Sequence, residues 1–565
     1  MQQKLFASTT KDNKVEYAIG FLCLLVYGGS LFFPLLDKDA AHHANIALHM
    51  YETGDYFSLV DRGRDYLDKP HLLFWTTLAF FRLFGVTTIA HRLPAVLFAL
   101  ASVYCTYQLT KHLTNKAVAR IAAIILATAQ AFVLSVNDAR METPLTTGMI
   151  FGLWQLILYI DKDKFTNLVL GAVGIAIAFS TKGWLGPAVV FIALFFYILL
   201  NKKWAVLAKA KTWLFIPFFF LFITPVLYGY YLQYDLHPDK VIRGRDHISG
   251  VKFILWEQLF ERYKGFDKKR YSDPFFLYHT FMWAFLPWCI AGYMALFYWL
   301  RRMFWLKKWK HPVSFAALAF GFILVTLSFS KFKMPHYLIM LFPMAAVFTA
   351  PYLWHVLQFR KGIKLFSILQ YFLVVVIILL AFVLNYYFFK PVNWLLWLLG
   401  PLLLALIIFI WTNKNFSKAA KIISVSAAAS FLFNFLLNYN FFPQLLKYQA
   451  GNEMVKMIKE KNIDIADKDI VVIEPNAHSF DFYRGHNHLQ LPAEEFEQSY
   501  PSLKDKYFLI TRAHRDTLFQ RGYQVEPVVS HADYNVAKVS LKFLRPETRA
   551  ARLDTLMLVK IHRDN

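Results

Sequence analysis

The sequence predicts a polytopic α-helical membrane protein of about 13 transmembrane helices, with periplasmic juxtamembrane helices and a small C-terminal α/β domain. Three observations predict it. Of the 565 residues, 57% are hydrophobic and only 17% charged, where a soluble domain carries about 25% charge. Apolar runs of about 20 residues, enough to cross a hydrocarbon core about 30 Å thick, recur through most of the length. From about residue 447 they give way to short β-rich runs between amphipathic ones.

The runs lie near 16–36, 88–110, 118–136, 144–160, 166–180, 184–200, 213–232, 276–300, 312–329, 337–355, 365–388, 393–411 and 420–440. Lys11 and Lys14 before the first resemble the start of a signal sequence. The run is longer than a typical signal core and no small-residue cleavage site follows, so it is expected to stay as a span. Basic residues mark cytoplasmic loops. Lys111, Lys116 and Arg120, then Lys202, Lys203, Lys209 and Lys211, then Arg301, Arg302, Lys307, Lys308 and Lys310 fall on one side. That places the N-terminus in the cytoplasm and, with an odd span count, the C-terminus outside. A multi-pass membrane protein is the expectation.

The formal charge of +24 follows from the same loop bias. No basic domain stands apart from the spans, so nucleic acid is not an expected partner. Cys23, Cys105 and Cys289 sit in apolar runs without disulfide or metal spacing and read as small buried hydrophobes.

Residues 1–446 are expected to form the transmembrane catalytic domain, with outer loops at 36–87 and 233–275. Residues 447–565 read as the soluble α/β domain, with strands at 469–474, 506–511 and 555–561 and helices at 452–461 and 513–521. This segment has no Gly-rich phosphate loop. Its His478, Asp481 and Arg484 read as ordinary solvated side chains. In the first outer loop a helix is expected from about Ala40 to Tyr51, stopped by Gly54. A second runs from Pro70 to about Leu83 along the membrane surface.

The outer side should be poor in short-loop cations, yet Lys38, Lys69, Arg140, Lys182, Lys331 and Lys333 lie there, each at a membrane edge. Cations kept on the outer face against the topological bias imply an anionic ligand there. Asp37, Asp39, Asp68, Asp138 and Glu142 join them from separate loops, with His42, His43, His71 and His336. A carboxylate deprotonates an acceptor hydroxyl or amine, and Lys and Arg hold and neutralise a departing phosphate.

Asp37-Lys38-Asp39 spells D-x-D, a pattern suited to a metal and a nucleotide sugar. Nucleotide sugars are cytoplasmic and this loop is outside, so a polyprenyl-phosphate sugar is the better-placed donor. No histidine spacing is diagnostic of a metal. No cofactor is assigned and no metal ligand is named, though the histidines leave a divalent metal open.

These motifs, in order, resemble the lipid-linked-sugar glycosyltransferases of the GT-C type, the bacterial relatives of protein O-mannosyltransferases and of the aminoarabinose transferase that modifies lipid A. That family shows Asp-Glu-x-Arg-Tyr-Ala after the first span, then Gly-Asp, then Glu-Lys-Pro. Here Asp39-Ala40-Ala41-His42-His43-Ala44 leads to Gly54-Asp55 and Asp68-Lys69-Pro70 at matching spacing. Ala139-Arg140-Met141-Glu142 resembles the second acidic site, and Ser180-Thr181-Lys182-Gly183 the Thr-Lys-Gly turn. Glu261-Arg262 and the Arg270 to Phe275 run resemble the loop before a later span, which continues into Leu286-Pro287-Trp288. Ser330 to Tyr337 resembles Ser-x-x-Lys-Leu-Pro-x-Tyr. The resemblance covers the chain to about residue 350.

The resemblance implies an inverting transferase that moves a sugar from a polyprenyl-phosphate donor to a lipid, glycan or protein acceptor at the outer face. By its register Asp39, not Asp37, is the catalytic carboxylate, assisted by Glu142 or Asp138. Lys69, Lys182, Arg262, Arg270 and Lys333 fall to donor phosphate. Asp68, Asp37, His42, His43 and Tyr337 support them. The family's Glu is Ala40 here and its Arg-Tyr is His42-His43, so no particular sugar or acceptor follows. The alternative is a transporter or flippase of a lipid-linked sugar. That would bury ionisable residues at mid-membrane in repeated halves, whereas this chain keeps its charges at one edge and shows no repeat.

Overall fold

The apolar runs fold as helices, and where two of them approach most closely the reason is glycine. The structure, a computed structural model, describes residues 10–242, 244–258, 273–330, 333–359, 363–473 and 477–563. Among these, eight helices are long and apolar enough to cross a membrane, or nine if a pair bent by 54° counts as one span. The sequence reading has thirteen. Some of its remaining runs form shorter apolar helices, at Gly20–Gly29, Leu185–Asn201 and Ser314–Ser328.

In chain order the first elements are α1 (Thr10–Gly29), α2 (His42–Thr53), α3 (Leu72–Phe84), α4 (Thr88–Leu113), α5 (Lys116–Thr128), α6 (Gln130–Asn137), α7 (Glu142–Lys162), α8 (Phe165–Lys182) and α9 (Leu185–Asn201). α7 and α8 form an antiparallel hairpin. A Cβ on Gly174 would lie 2.5 Å from the Gly152 backbone nitrogen, and one on Gly148 would lie 2.6 Å from that of Ala178. Small residues at such spacing let backbones approach where lipid offers no hydrophobic drive between helices. The hairpin brings the start of α7, Glu142, beside the end of α8, Lys182.

Arg92 of α4 fixes the exit of α1. Fully buried, its guanidinium donates to the carbonyls of Ser30 and Pro34, each at 2.8 Å, and to that of Phe33. The desolvation cost of a buried cation is thereby offset by acceptors. The first long loop then opens with a π-helical turn, Asp37–Ala41, that runs into α2. α2 ends at Gly54, whose φ of +73° forms the left-handed cap, a conformation that favours glycine. A two-residue hairpin joins β1 (Val60–Asp61) to β2 (Arg64–Asp65). Arg62 and Gly63 at its tip have φ of +50° and +80°, as the twist of a tight hairpin requires.

The C-terminal residues build a five-stranded sheet of order β4-β3-β5-β7-β6. Its strands are β3 (Ile470–Val472), β4 (Leu489–Gln490), β5 (Tyr507–Thr511), β6 (Tyr523–Asp533) and β7 (Asp554–Arg563). β3 is parallel to β4 and β5, while β7 is antiparallel to β5 and β6. The sequence reading omits β6, which carries Pro527. Proline demotes a strand to a sheet edge or a bulge; β6 is an edge strand, and its register shifts between Pro527 and Val529.

This sheet unit is seated on the first outer loop. Arg62 is fully buried, and its Nε donates to Asp481 at 2.5 Å and its Nη2 to the Ala477 carbonyl at 2.9 Å. His488 Nδ1 lies 2.8 Å from the other oxygen of Asp481. Asp37 accepts from the Ser479 amide at 2.6 Å, and Gln449 donates to the Leu35 carbonyl at 2.8 Å. The reading of Asp481 and His478 as solvated is therefore corrected. Asp481 is fully buried as the counter-ion of a loop arginine, and His478 faces the loop histidine His42, ring on ring.

Candidate active site

A cavity of about 260 Å³ opens between the first outer loop, the α6–α7 turn, the end of α8 and the segment at 334–337. Asp39, His42 and His43 reach it from the π-turn and α2, and Asp68 and Lys69 from the far end of the same loop. Glu142 and Arg140 come from the α6–α7 turn, Lys182 from α8, and Tyr337 from a 3₁₀ turn, Pro335–Leu341. Residues separated by some 300 positions thus share one wall.

The α6–α7 turn supplies the central ion network. Ala139 has a φ of +45°, a left-handed conformation costly for a residue with a Cβ. The Arg140 amide donates to the Ser135 carbonyl at 3.0 Å to close the turn. The guanidinium of Arg140 donates to Asp39 and lies 3.6 Å from Asp138 and 3.7 Å from Glu142. Burial opposes its charge, but Asp138, Glu142 and Asp39 together hold its pKa above the ordinary value. Asp138, buried beside these carboxylates, is pushed up to about 7 by desolvation despite Arg140. Three carboxylates around one guanidinium cannot all stay ionised cheaply.

Glu142 pairs with Lys182, both about 4% exposed. His336 lies 3.7 Å from the same carboxylate. The Lys182 ammonium sits 5.4 Å from the Tyr337 ring centre, within cation–π range.

Two contacts carry the Asp68-Lys69 end of the loop into place. His71 lies 2.8 Å from the Phe57 carbonyl and packs where a Cβ on Gly229 would be, 2.7 Å from its Nε2. Gln258 donates to the Asp68 carbonyl at 3.1 Å. It fits only because residue 183 is glycine: a Cβ there would lie 2.4 Å from the Gln258 oxygen, and φ is +64°. The Lys182-Gly183 pair thus supplies a cation and the room for the neighbour that positions Asp68.

Of the residues read from the sequence, Asp39, His42, His43, Asp68, Lys69, Glu142, Lys182 and Tyr337 line the cavity. Asp138 stands behind Arg140. Asp37 turns away to the Ser479 amide, and desolvation raises its carboxyl to about 7 against the lowering effect of that bond. Lys333 donates to the carbonyls of Ser328 at 2.5 Å and Asp273 at 2.9 Å rather than lining the cavity. Arg262 and Arg270 lie outside the described residues. Tyr66 and Met334 also line the cavity, and Gln258 braces it. None of the three has a local pattern that would mark it, because each acts through its position in the fold.

The arrangement offers an accessible carboxylate, Asp39, about 30% exposed, and two lysines, Lys69 and Lys182, on one small cavity. It can hold an anion at one end and accept a proton at the other.

Residues 68–228 match the family model described as dolichyl-phosphate-mannose-protein mannosyltransferase. An uncharacterized protein of Aquifex aeolicus is 26% identical over 450 residues, covering 78% of this chain and 82% of its own. The undecaprenyl phosphate-alpha-4-amino-4-deoxy-L-arabinose arabinosyl transferase 2 of Proteus mirabilis is 23% identical over 414 residues, covering 69% of this chain and 70% of its own. Among solved structures, ArnT from Cupriavidus metallidurans in the apo state superposes with a TM-score of 0.74 at 16% identity, over 98% of both chains. The same protein bound to undecaprenyl phosphate gives 0.72 at 15% identity, over 96% of this chain and 97% of that one. The fold is shared along almost the whole length.

Proposed function

We propose that this chain, a GT-C type relative of the protein mannosyltransferases and of ArnT, is an inverting glycosyltransferase. It moves a sugar from a polyprenyl-phosphate donor to a lipid, glycan or protein acceptor at the outer face of a bacterial inner membrane. The observation that carries the reading is the cavity itself: Asp39, Lys69 and Lys182 face one space of about 260 Å³. The relation to proteins named for undecaprenyl-phosphate donors supports it.

In this reading Asp39 takes the proton of the acceptor hydroxyl or amine as that atom attacks the anomeric carbon. The bond from that carbon to the phosphate oxygen breaks, and the polyprenyl phosphate leaves with the electron pair. Lys69 and Lys182 neutralise it, and the sequence reading assigns Arg262, Arg270 and Lys333 to the same task. Arg140 holds Asp39 in place, and Glu142 with Asp138 keeps Arg140 charged. His42 and His43 stand beside Asp39, where an acceptor would be recognised. The full topology proposed is thirteen spans with the N-terminus cytoplasmic and the C-terminus periplasmic. The transporter alternative draws no support from relatives named as transferases.

The test is Asp39→Asn in membranes supplied with labelled polyprenyl-phosphate sugar. Loss of a positioned base lowers transfer by about 10²–10⁴-fold at unchanged protein level. Full transfer by this variant would overturn the role of Asp39.

A further inference from the structure

We infer that His42, Asp61 and His478 form a binding site for a divalent transition metal, zinc in the first instance, at the seam between the first outer loop and the C-terminal sheet unit. His42 comes from α2, Asp61 from β1 and His478 from the start of the helix His478–Arg484. One ligand atom from each lies within 4.8 Å of the other two. His42 Nε2 stands 3.0 Å from an Asp61 oxygen, and the His42 and His478 rings stack at 4.6 Å.

Hydrogen bonding does not account for this convergence. Asp61 Oδ1 and His478 Nδ1 are buried without a hydrogen-bond partner among the described residues, and His42 Nε2, beside the other Asp61 oxygen at 3.0 Å, makes no aligned hydrogen bond there. Leaving a buried polar atom without a hydrogen bond is costly, and the ligand atoms of these three residues, on separate elements, converge within 4.8 Å of one another. Two imidazoles and a carboxylate are an established donor set for Zn²⁺. Tetrahedral bonds of about 2.05 Å place ligand atoms about 3.4 Å apart, so the three need to close by little more than 1 Å.

The surroundings suit the task. Asn45 donates to the His478 carbonyl at 2.9 Å and fixes that residue on α2. The neighbouring Arg62 guanidinium is bonded to Asp481. Three protein ligands leave a fourth position open. His42 also lines the cavity of about 260 Å³, so the ion sits in the wall of the proposed active site. The resemblance drawn from the sequence has Arg-Tyr where this chain has His42-His43, so the site belongs to this chain's own departure. It depends on no role for Asp39 in transfer.

The experiment is zinc titration of the full chain, purified in detergent after chelation, with metal content read by mass spectrometry. The expected result is about one equivalent of zinc bound at micromolar concentration, falling to under about a tenth in Asp61→Asn and in His478→Gln. Thermal unfolding in chelator checks that both variants are folded. X-ray absorption of the zinc-loaded wild type reads the ligands without any substitution and should show two imidazoles and one or two oxygen ligands. A wild-type chain that stays metal-free, a shell lacking imidazole, or folded variants that keep the equivalent would each overturn the site. Transfer assays of Asp39→Asn, run separately, distinguish failure of this site from failure of the transferase reading.

Discussion

Glu142 and Lys182, forty residues apart, meet as a buried ion pair at the open end of the α7–α8 hairpin. Removing one partner of such a pair strands the other charge and costs about 3–5 kcal/mol, whereas replacing both with apolar groups of similar size is often close to neutral. Glu142 keeps Arg140 and His336 at 3.7 Å and Lys182 keeps the Tyr337 ring, so Lys182→Met and Glu142→Met should each lower unfolding stability by no more than about 3–5 kcal/mol. The double variant should recover most of that. Equilibrium unfolding in detergent measures all three. Recovered stability with transfer still absent would separate the structural role of Lys182 from its role toward phosphate.

Lys69 lines the same cavity. A hydrogen bond to a charged group contributes about 1.5–3 kcal/mol, and every 1.4 kcal/mol is tenfold in affinity. Lys69→Gln should weaken donor binding by about 10–100-fold with little change in Tm. A KM for labelled donor equal to that of the wild type would remove Lys69 from the phosphate site.

Gly174 tests the packing that sets this geometry. Its missing Cβ would lie 2.5 Å from the Gly152 backbone nitrogen. Overpacking of this kind costs about 1–3 kcal/mol. Gly174→Val should show that loss and a drop in transfer through displacement of Glu142 from Lys182. Gly20→Ala, where a Cβ meets nothing within 4 Å, serves as the control and should be neutral or slightly stabilising.

Asp37 gives a pH signature. Its carboxyl is raised from 3.8 to about 7 by burial. The folded chain thus binds a proton that the unfolded chain has released between about pH 4 and pH 7. Stability from this group is fully present below about pH 4 and is lost as pH rises through about 7. Asp37→Asn should flatten that slope. A slope unchanged in the variant would assign it to Asp138 or Asp533, whose carboxyls burial raises in the same direction.

The helical membrane class was legible in composition and in apolar runs, because a hydrocarbon core constrains length and polarity together. Much of the candidate site was legible too, for a related reason. Lys69, Arg140 and Lys182 are exceptions to the loop-charge pattern read from the sequence, and such exceptions stand out in one dimension. What stayed illegible needs three dimensions. Asp37 and Asp39 are two residues apart and look equivalent, yet the π-turn sends one to Ser479 and the other to Arg140. Gln258 is one glutamine among many until Gly183 makes room for it. His478 and Asp481 looked solvated because nothing local announces that a loop more than 400 residues earlier will cover them.

The seat of the sheet unit on that loop sets an order in time. Arg62 is made early by the ribosome, while Asp481, its buried counter-ion, follows 419 residues later. Until then the loop lacks the buried carboxylate that its arginine meets in the folded chain. The contact that seats the sheet unit on the loop is thus completed only once translation has delivered the far end of the chain. A product terminated before residue 481 would present this loop without the buried bond that holds the sheet unit to it.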